Sequence, residues 1–234
     1  MIKKITKYHI FTLILALFLD VNAYAEPYNL GKLKTQVIRY HDSGAYQKDI
    51  DQVAAQATRY IDAQVQIAAR THHPKKLALV LDIDETCLSN YPHMLANDFS
   101  GTRQQIDQAY LAANAHAIQP MLALYQHTLQ QGVAVFFITA RDKSFRNATI
   151  RNLHRAGYAN WTSIDLKTGH QPVVAYKTAT RAAIEKRGYT IIASISDQYS
   201  DLVGGYAQKT FKLPNPYYYV PSGNDESLSP RRKN

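Results

Sequence analysis

The unbroken apolar run at 77–81 restricts the fold of this chain more than any other feature. It contains five successive apolar residues and leads directly into Asp82. A strand without an alternating polar face fits a sheet that is covered on both sides, as in parallel α/β proteins. In such sheets ligands bind beyond the carboxyl ends of the strands. The run therefore predicts a buried strand that delivers Asp82 and the nearby Asp84 to a binding site.

Two aspartates at a strand end have two interpretations. Asp82 and Asp84 could hold a hard cation such as Mg²⁺ against a phosphate, while one carboxylate attacks phosphorus and the other moves a proton. Alternatively, both side chains accept hydrogen bonds from backbone amides in an Asp-rich turn. Residues 77–86 alone do not decide between these two interpretations, so later segments of the chain matter.

A second apolar run, at 133–139, ends in Thr139 and is followed by Arg141. A hydroxyl at a strand end can donate to a phosphate oxygen, as can the backbone amides of the following turn. The alternative is that Thr139 starts an ordinary turn and Arg141 lies on the surface.

The last two segments add a lysine and two more carboxylates. Lys177 begins a predicted helix at 176–188, where a lysine opposes the helix dipole unless it contacts an anion. A predicted strand at 190–196 runs into Asp197 and then Asp201. These could complete an acidic cation site, or they could be a helix N-cap and an exposed carboxylate.

Strands alternate with helical patterns along the chain, which favours a parallel sheet with helices on both faces. The predicted strands are 77–82, 133–139, 163–167, 190–196 and 208–213, after a long amphipathic helix at 45–70 and an irregular leader at 26–41.

Five phrases of the sequence carry a resemblance to a known family: DIDETCLSN at 82–90, FFITAR at 136–141, AGYANW at 156–161, YKTATR at 176–181 and SDQYSDLVG at 196–204. In this order they resemble the motifs of the haloacid dehalogenase (HAD) superfamily of phosphohydrolases. The resemblance is closest to the class B-type branch, with its plant acid phosphatases, vegetative storage proteins and bacterial acid-phosphatase lipoproteins. It extends from about Tyr46 to Tyr219.

The resemblance implies an α/β, HAD-like Rossmannoid three-layer sandwich. The domain would cover 26–221 and carry a small cap insertion at about 88–118. Aromatic residues in this insertion, such as Phe99 and Tyr110, could stack on a substrate or simply pack the cap. The tyrosines of the later segment 214–221 are expected to pack on the edge of the domain.

The resemblance also implies roles for single residues. Asp82 would be the nucleophile, and Asp84 the general acid and then the base, beginning the reaction protonated because neighbouring carboxylates disfavour its charged form. Thr139 and Lys177 would hold the phosphoryl oxygens. Mg²⁺ would be bound by Asp82, Asp84 (through its backbone carbonyl) and Asp197, with Asp201 supporting the water shell or second shell of the metal.

The N-terminus predicts a cleavable signal peptide at 1–25. Three lysines precede an apolar stretch at 10–19 that is too short to span a bilayer, and Ala23-Tyr24-Ala25 supplies a small-x-small cleavage site. An ordinary amphipathic first helix is the alternative. Cleavage after Ala25 predicts a periplasmic or secreted protein. The lipid-attachment cysteine of the lipoprotein relatives is missing, so no stable membrane anchor is expected, and the polar tail at 222–234 is expected to be disordered.

The charge balance and the cysteine count limit which kinds of ligand and cross-link this chain can have. The chain has 27 Lys and Arg against 18 Asp and Glu, and removal of 1–25 leaves 24 basic and 17 acidic residues, a net charge of +7. This balance favours anionic substrates, but no basic stripe with interleaved aromatics suggests a nucleic-acid polymer. Cys87 is the single cysteine, so no intrachain disulfide can form, and a buried apolar role is favoured over a reactive thiol.

The sequence thus predicts a secreted, Mg²⁺-dependent acid phosphatase that hydrolyses small phosphomonoesters through an aspartyl-phosphate. Two alternatives remain open: a non-enzymatic storage or binding protein of the same fold, and a phosphotransferase in which an alcohol replaces water. The physiological ester and the oligomeric state are not predicted.

Overall fold

The computed structural model describes residues 26–71 and 75–222. The predicted signal peptide and the predicted tail beyond Ser222 lie outside the described residues. Contacts place the described residues up to Leu33 in one unit and the described residues from Lys34 onward in a second unit. The sheet and the candidate site both belong to the second unit.

A five-stranded parallel sheet forms the centre of this second unit, with the strand order β5-β4-β1-β6-β7. The strands are β1 (Lys76–Leu81), β4 (Ala134–Asp142), β5 (Ser163–Lys167), β6 (Tyr189–Ser196) and β7 (Lys209–Lys212). All five predicted strands are present, with bounds that differ from the prediction by at most three residues. The α/β class with a parallel sheet is confirmed.

Helices lie on both faces of the sheet. They are α1 (Leu30–Asp42), α2 (Ala45–Ala69), α3 (Tyr91–Ala96), α4 (Arg103–Ala112), α5 (Gln119–Gln130), α6 (Arg146–Arg155), α7 (Val173–Lys186) and α8 (Tyr199–Leu202). Among the described residues, no helix is long and apolar enough to cross a bilayer.

Strand β1 shows why its sequence has no polar face. Leu79 and Leu81 belong to the apolar cluster that contains buried residues of α2 and α5. Ala78 and Val80 point the other way, into the cluster that contains Tyr176 and Ile184 of α7. Because successive side chains of a strand point to opposite faces, both sets must be apolar when both faces are covered.

The prediction of an irregular leader at 26–41 is wrong, because helix α1 runs from Leu30 to Asp42. Val37 and Tyr40 lie one turn apart and pack, partly buried, against the main apolar cluster. Such half-buried packing stabilises a helix whose own sequence carries no acidic residue in its first turn and no fully buried residue.

The sequence indicated that the insertion at 88–118 is more than a single crossover helix, and the structure agrees. A short antiparallel ribbon of β2 (Leu88–Ser89) and β3 (His116–Ala117) encloses α3 and α4. Helix α4 begins with a capping box in which the Thr102 and Gln105 side chains each accept a hydrogen bond from the backbone amide of the other residue. The ribbon holds both helices beside the carboxyl end of β1.

The strand order places a crevice between β1 and β6. The connection after β1 leads toward β4, whereas the chain leaves β6 toward β7 on the other side. Loops that depart in opposite directions leave space at the carboxyl ends of the two strands, where ligands bind in open α/β sheets. Asp82 and Asp197 follow these two strands directly.

Candidate active site

Asp82 and Lys177 form the centre of the site. Asp82 follows β1, and its backbone amide donates to the Ile195 carbonyl of β6. Lys177 on α7 is buried, and its Nζ lies 2.5 Å from Asp82 Oδ1 and 2.7 Å from Asp201 Oδ2. Burial by itself lowers the pKa of Lys177, but the two carboxylates outweigh burial and raise it above its ordinary value. The lysine is therefore held charged between two aspartates.

The expected position of Lys177 at a helix start is corrected by the structure. Helix α7 begins at Val173, so Lys177 lies in its second turn. The helix dipole falls off within the first turn and contributes little there. The anions that justify this buried lysine are Asp82 and Asp201.

Three buried carboxylates meet at the crevice. Asp82, Asp197 and Asp201 each offer an oxygen, and these oxygens all lie within 4.8 Å of one another. Burial raises the pKa of Asp82 well above its ordinary value, an effect that Lys177 partly offsets and that Asp201 and Asp197 strengthen. One ammonium does not balance three carboxylates. This surplus of oxygen donors and negative charge fits a hard divalent cation.

Asp197 is oriented by four side chains and is not a helix cap. Thr86 Oγ1 donates to its Oδ1 at 3.1 Å. Its Oδ2 accepts from Gln198 Nε2 at 2.8 Å and from Asn215 Nδ2 at 2.6 Å. The N-cap of α8 is Gln198. Ser196 Oγ makes a longer contact of 3.4 Å with Oδ1. These donors hold the Asp197 carboxylate in one orientation at the end of β6.

Asp201 is buried, which excludes the interpretation of an exposed carboxylate. Its Oδ2 accepts a hydrogen bond of 2.5 Å from Ser196 Oγ in addition to the Lys177 contact. Arg181, one turn after Lys177 on α7, donates to the Asp201 carbonyl at 2.5 Å and to the carbonyls of the following loop. The Asp201 carboxylate therefore belongs to the acidic cluster, which is one of the two interpretations that the sequence left open.

Asp84 lies apart from this cluster, in a bidentate ion pair with Arg141. Arg141 Nη2 and Nε contact Asp84 Oδ1 and Oδ2 at 2.6 and 2.9 Å, and Asn90 donates to Oδ1 at 2.7 Å. Burial opposes ionisation of Asp84, but Arg141 and Asn90 outweigh it and lower the pKa of Asp84 below its ordinary value. The expectation that neighbouring carboxylates keep Asp84 protonated is wrong for this arrangement, because the arginine dominates.

Arg141 is thus a site residue. The alternative interpretation of the sequence, that Arg141 lies on the surface, is wrong. Its guanidinium is buried and lies 4.2 Å from the ring centroid of Tyr110 in the insertion. A cation over an aromatic face is an attractive contact. Two residues earlier, Thr139 is also buried, and its Oγ1 accepts a hydrogen bond from the Arg141 amide.

All six residues that the sequence singled out line one cavity of about 440 Å³: Asp82, Asp84, Thr139, Lys177, Asp197 and Asp201. Much of the rest of its wall comes from the insertion and from residues after β7. Phe99 and Tyr110 of the insertion line it, as do Tyr217 and Tyr218. Tyr217 and Tyr218 are therefore part of the cavity wall, whereas the sequence had assigned them to the domain edge.

Sequence reasoning missed Glu85, Asn215 and Tyr218. Glu85 adopts a positive φ of 49°, and its carboxylate accepts hydrogen bonds from the Asn90 backbone amide at 2.6 Å and from the Tyr218 hydroxyl at 3.1 Å. Burial, with Asp84 and Asp197 nearby, raises the pKa of Glu85 to about 8. A non-glycine residue with positive φ inside the first motif leaves no trace in composition or periodicity.

The buried interpretation of Cys87 is confirmed. Its side chain is inaccessible within the main apolar cluster, and burial raises the pKa of its thiol well above the ordinary value. A protonated, enclosed thiol is a poor nucleophile.

Replacement of Arg141 by Met is expected to lower the free energy of unfolding by about 3–5 kcal/mol at pH 7, because Asp84 would stay buried without its partner. The wild-type pair contributes stability above the ordinary pKa of Asp84 and loses it as pH falls through the lowered value. In the variant, burial raises the pKa of Asp84, so protonation relieves the cost. The difference between the proteins should therefore shrink as pH falls.

Urea unfolding at pH 7 and at pH 4.5 measures this difference. Arg151→Met on the exposed face of α6 is the matched control and should change stability by no more than about 0.5 kcal/mol. An Arg141→Met protein as stable as the control, or a loss that grows toward acid pH, would contradict the assignment.

The sequence is similar to a family of phosphatases and to several plant proteins. The family model described as "HAD superfamily, subfamily IIIB (Acid phosphatase)" matches residues 19–221. Acid phosphatase 1 of Solanum lycopersicum is 30% identical over 191 residues, which are 79% of this chain and 73% of that protein. Vegetative storage protein 2 of Arabidopsis thaliana is 35% identical over 150 residues, 61% of this chain and 56% of that protein. The chain spans less than two thirds of the length of this storage protein and of two similar stem glycoproteins from Glycine max.

The class C acid phosphatase from Bacillus anthracis has a similar structure. It superimposes with a TM-score of 0.67 over 80% of this chain and 86% of that chain, at 24% sequence identity. At this identity the likeness establishes the fold alone, and it confirms the HAD-like sandwich that the motifs predicted.

Proposed function

Because the chain belongs to the acid phosphatases of HAD subfamily IIIB, we propose that it hydrolyses small phosphomonoesters with the help of a divalent cation, Mg²⁺. The observation that carries this proposal is the convergence of Asp82, Lys177 and the acidic pair Asp197 and Asp201 in the wall of one cavity. Phosphoryl transfer requires mainly positioning and charge neutralisation, and this cluster supplies both.

Asp82 is proposed as the nucleophile. Its carboxylate stands at the end of β1 on the cavity wall, and Lys177 holds one of its oxygens at 2.5 Å. Attack by the other oxygen on phosphorus would form an aspartyl-phosphate and release the alcohol. Lys177 and the Thr139 hydroxyl would then contact the phosphoryl oxygens, because both line the same cavity.

The chemistry of the donor set supports a magnesium site. Every candidate ligand is an oxygen, and the residues that would hold the ion are Asp82, Asp197 and the backbone carbonyl of Asp84, with Asp201 adjoining them. When bound, the ion supplies positive charge beside the transferring phosphoryl group. Asn215, Gln198 and Thr86 keep the Asp197 carboxylate turned toward the cluster.

Asp84 is proposed to move protons between the leaving group, the hydrolytic water and the enzyme. Arg141 keeps it ionised in the unliganded site, the form that a base for water requires. As an acid it must first take up a proton. An anionic phosphate bound nearby raises the pKa of a carboxylate, and mildly acidic solution helps in the same direction. This demand suits an enzyme that works in mildly acidic solution.

The insertion at 88–118 is proposed to act as a cap that shapes the leaving-group side of the cavity. Met94, Phe99, Ile106 and Tyr110 line that side and present mostly apolar surface. Secretion or a periplasmic location follows as a proposal from the predicted signal peptide. A storage protein of the same fold is the competing hypothesis, since a vegetative storage protein is among the relatives, but the complete set of site residues favours an enzyme.

Hydrolysis of a panel of aryl, sugar and nucleoside monophosphates in the presence of Mg²⁺ tests the proposal. Turnover above that of a matched Asp82→Asn protein supports an enzyme. No turnover of any member between pH 4.5 and 7 would favour the storage function.

Asp84→Asn is expected to lower kcat by about 10²–10⁴-fold for esters with poor leaving groups, because the amide cannot transfer a proton. For p-nitrophenyl phosphate the loss should be much smaller, since p-nitrophenolate departs without protonation. The measurement is kcat for an alkyl and an aryl phosphate at saturating Mg²⁺. If kcat falls equally for both esters, Asp84 does not act as the general acid.

A further inference from the structure

Residues 213–220 form a segment, here called the C-terminal strap, that runs back across the end of β6 after β7. The Leu213 amide donates to the Ser196 carbonyl at 2.9 Å. Further along, the Val220 amide donates to Gln198 Oε1 at 3.0 Å. The strap therefore lies against the residues that immediately precede and follow Asp197.

Asn215 uses both ends of its amide within this strap. Its Nδ2 donates to Asp197 Oδ2 at 2.6 Å. Its Oδ1 accepts from the Tyr217 amide at 2.8 Å and makes a longer contact of 3.4 Å with the Tyr218 amide. One side chain thus touches the acidic cluster on one side and the backbone of two tyrosines on the other.

The two groups that Asn215 joins serve different parts of the cavity. Asp197 belongs to the cluster of carboxylates that fits a cation. Tyr217 and Tyr218 form part of the cavity wall, and the ring of Tyr217 stacks on Phe99 of the insertion with 6.1 Å between centroids. The Tyr218 hydroxyl donates to Glu85 Oε2 at 3.1 Å. A shift of the Asn215 side chain would therefore disturb both the Asp197 carboxylate and the two tyrosines.

We infer that Asn215 is a positioning residue that simultaneously orients Asp197 for the cation and sets the tyrosine wall for the leaving group. This inference rests on the proposed function, which it deepens. A primary amide suits the task because it carries a donor and an acceptor on one rigid plane. A carboxylate at this position would face the Asp197 oxygen with like charge.

A purely structural role is the competing explanation. A side-chain oxygen of Asn that accepts from the amide two residues later forms an Asx-turn, which stabilises a turn wherever it occurs. Such a role would change the stability of the strap but would leave cation affinity unaltered. Outer-shell partners of metal ligands, by contrast, commonly change metal affinity by about 10–100-fold when they are removed.

The experiment compares four variants of the full chain. Asn215→Ala removes both contacts of the amide. Asn215→Ser keeps a small acceptor for the turn but cannot reach Asp197, and it also serves if the alanine variant folds poorly. Tyr218→Leu alters the wall alone. Asn147→Ala on the exposed face of α6 is the matched control.

Two readouts are needed, and the first does not involve turnover. Titration calorimetry gives the Kd of Mg²⁺, and kinetics at saturating Mg²⁺ give kcat and KM for phenyl phosphate and for glycerol phosphate. Asn215→Ala should weaken Mg²⁺ binding by about 10–100-fold and raise KM several-fold more for the aryl ester than for the glycerol ester. Asn215→Ser should weaken Mg²⁺ binding with a smaller change in the KM ratio.

Tyr218→Leu should change the KM ratio and leave the Kd of Mg²⁺ within about twofold, since it lies outside the donor set. Asn147→Ala should change neither. An unaltered Kd in both Asn215 variants would reduce Asn215 to a turn former. If Asn215→Ala binds Mg²⁺ more weakly but keeps the KM ratio of the wild type, Asn215 orients Asp197 and does not position the tyrosines of the cavity wall. If the wild-type protein binds Mg²⁺ but hydrolyses no ester, the proposed function fails, while the Kd comparison still tests the link to Asp197.

Discussion

Replacement of Asp82 by Asn is expected to reduce kcat by several orders of magnitude, about 10⁶-fold if the loss matches that of a serine hydrolase without its nucleophile. The amide keeps the shape of the side chain but cannot attack phosphorus at a useful rate. Lys177 would retain Asp201 as its partner, so the helix that carries it should stay in place. The measurement is kcat for p-nitrophenyl phosphate at saturating Mg²⁺, because loss of one carboxylate also weakens cation binding.

The stereochemistry at phosphorus separates this role from a simpler one. Attack by Asp82 followed by attack of water involves two inversions and therefore overall retention. A chiral phosphate ester hydrolysed with retention supports the covalent intermediate. Clean inversion would show direct attack by water, and Asp82 would then act only in binding. Full activity of Asp82→Asn, with the variant folded and loaded with Mg²⁺, would contradict both roles.

Removal of divalent cations is expected to abolish hydrolysis, and addition of Mg²⁺ should restore it. Asp82, Asp197 and Asp201 crowd within 4.8 Å with one lysine between two of them. Burial raises the pKa of Asp82 in this arrangement, and a divalent cation would favour the ionised carboxylate and add the positive charge that one lysine does not supply. Binding of a divalent ion requires the ionised carboxylate and should release protons.

Activity after dialysis against EDTA, followed by titration with Mg²⁺, measures the effect. EDTA previously saturated with Mg²⁺ is the control and should leave activity unaltered. Apparent Mg²⁺ affinity should fall as pH is lowered, because protons compete for the same oxygens. Full turnover in excess EDTA, with no bound metal by elemental analysis, would exclude a cation from the reaction.

Much of the site could be predicted because its parts follow parallel strands. Unbroken apolar runs identified β1 and β4, a further strand was predicted at 190–196, and the carboxyl ends of parallel strands meet at one edge of the sheet. Asp82, Thr139 and Asp197 therefore had to lie near one another once the sheet was parallel. Lys177 was found through its chemistry, since a lysine early in a helix needed an anion, although the predicted helix start was wrong by three residues.

Local sequence determined the strands, the long helix α2 and the residue types available for chemistry, because apolar periodicity reports which faces are buried. The tertiary structure alone decided the partners of those residues. Arg141 meets Asp84 across 57 positions, and Asn215 reaches Asp197 across 18. Such contacts depend on strand order and on the path of the strap, neither of which leaves a periodic signal. For the same reason the protonation preference of Asp84 was reversed: burial alone would raise its pKa, and only the folded chain brings the arginine that lowers it.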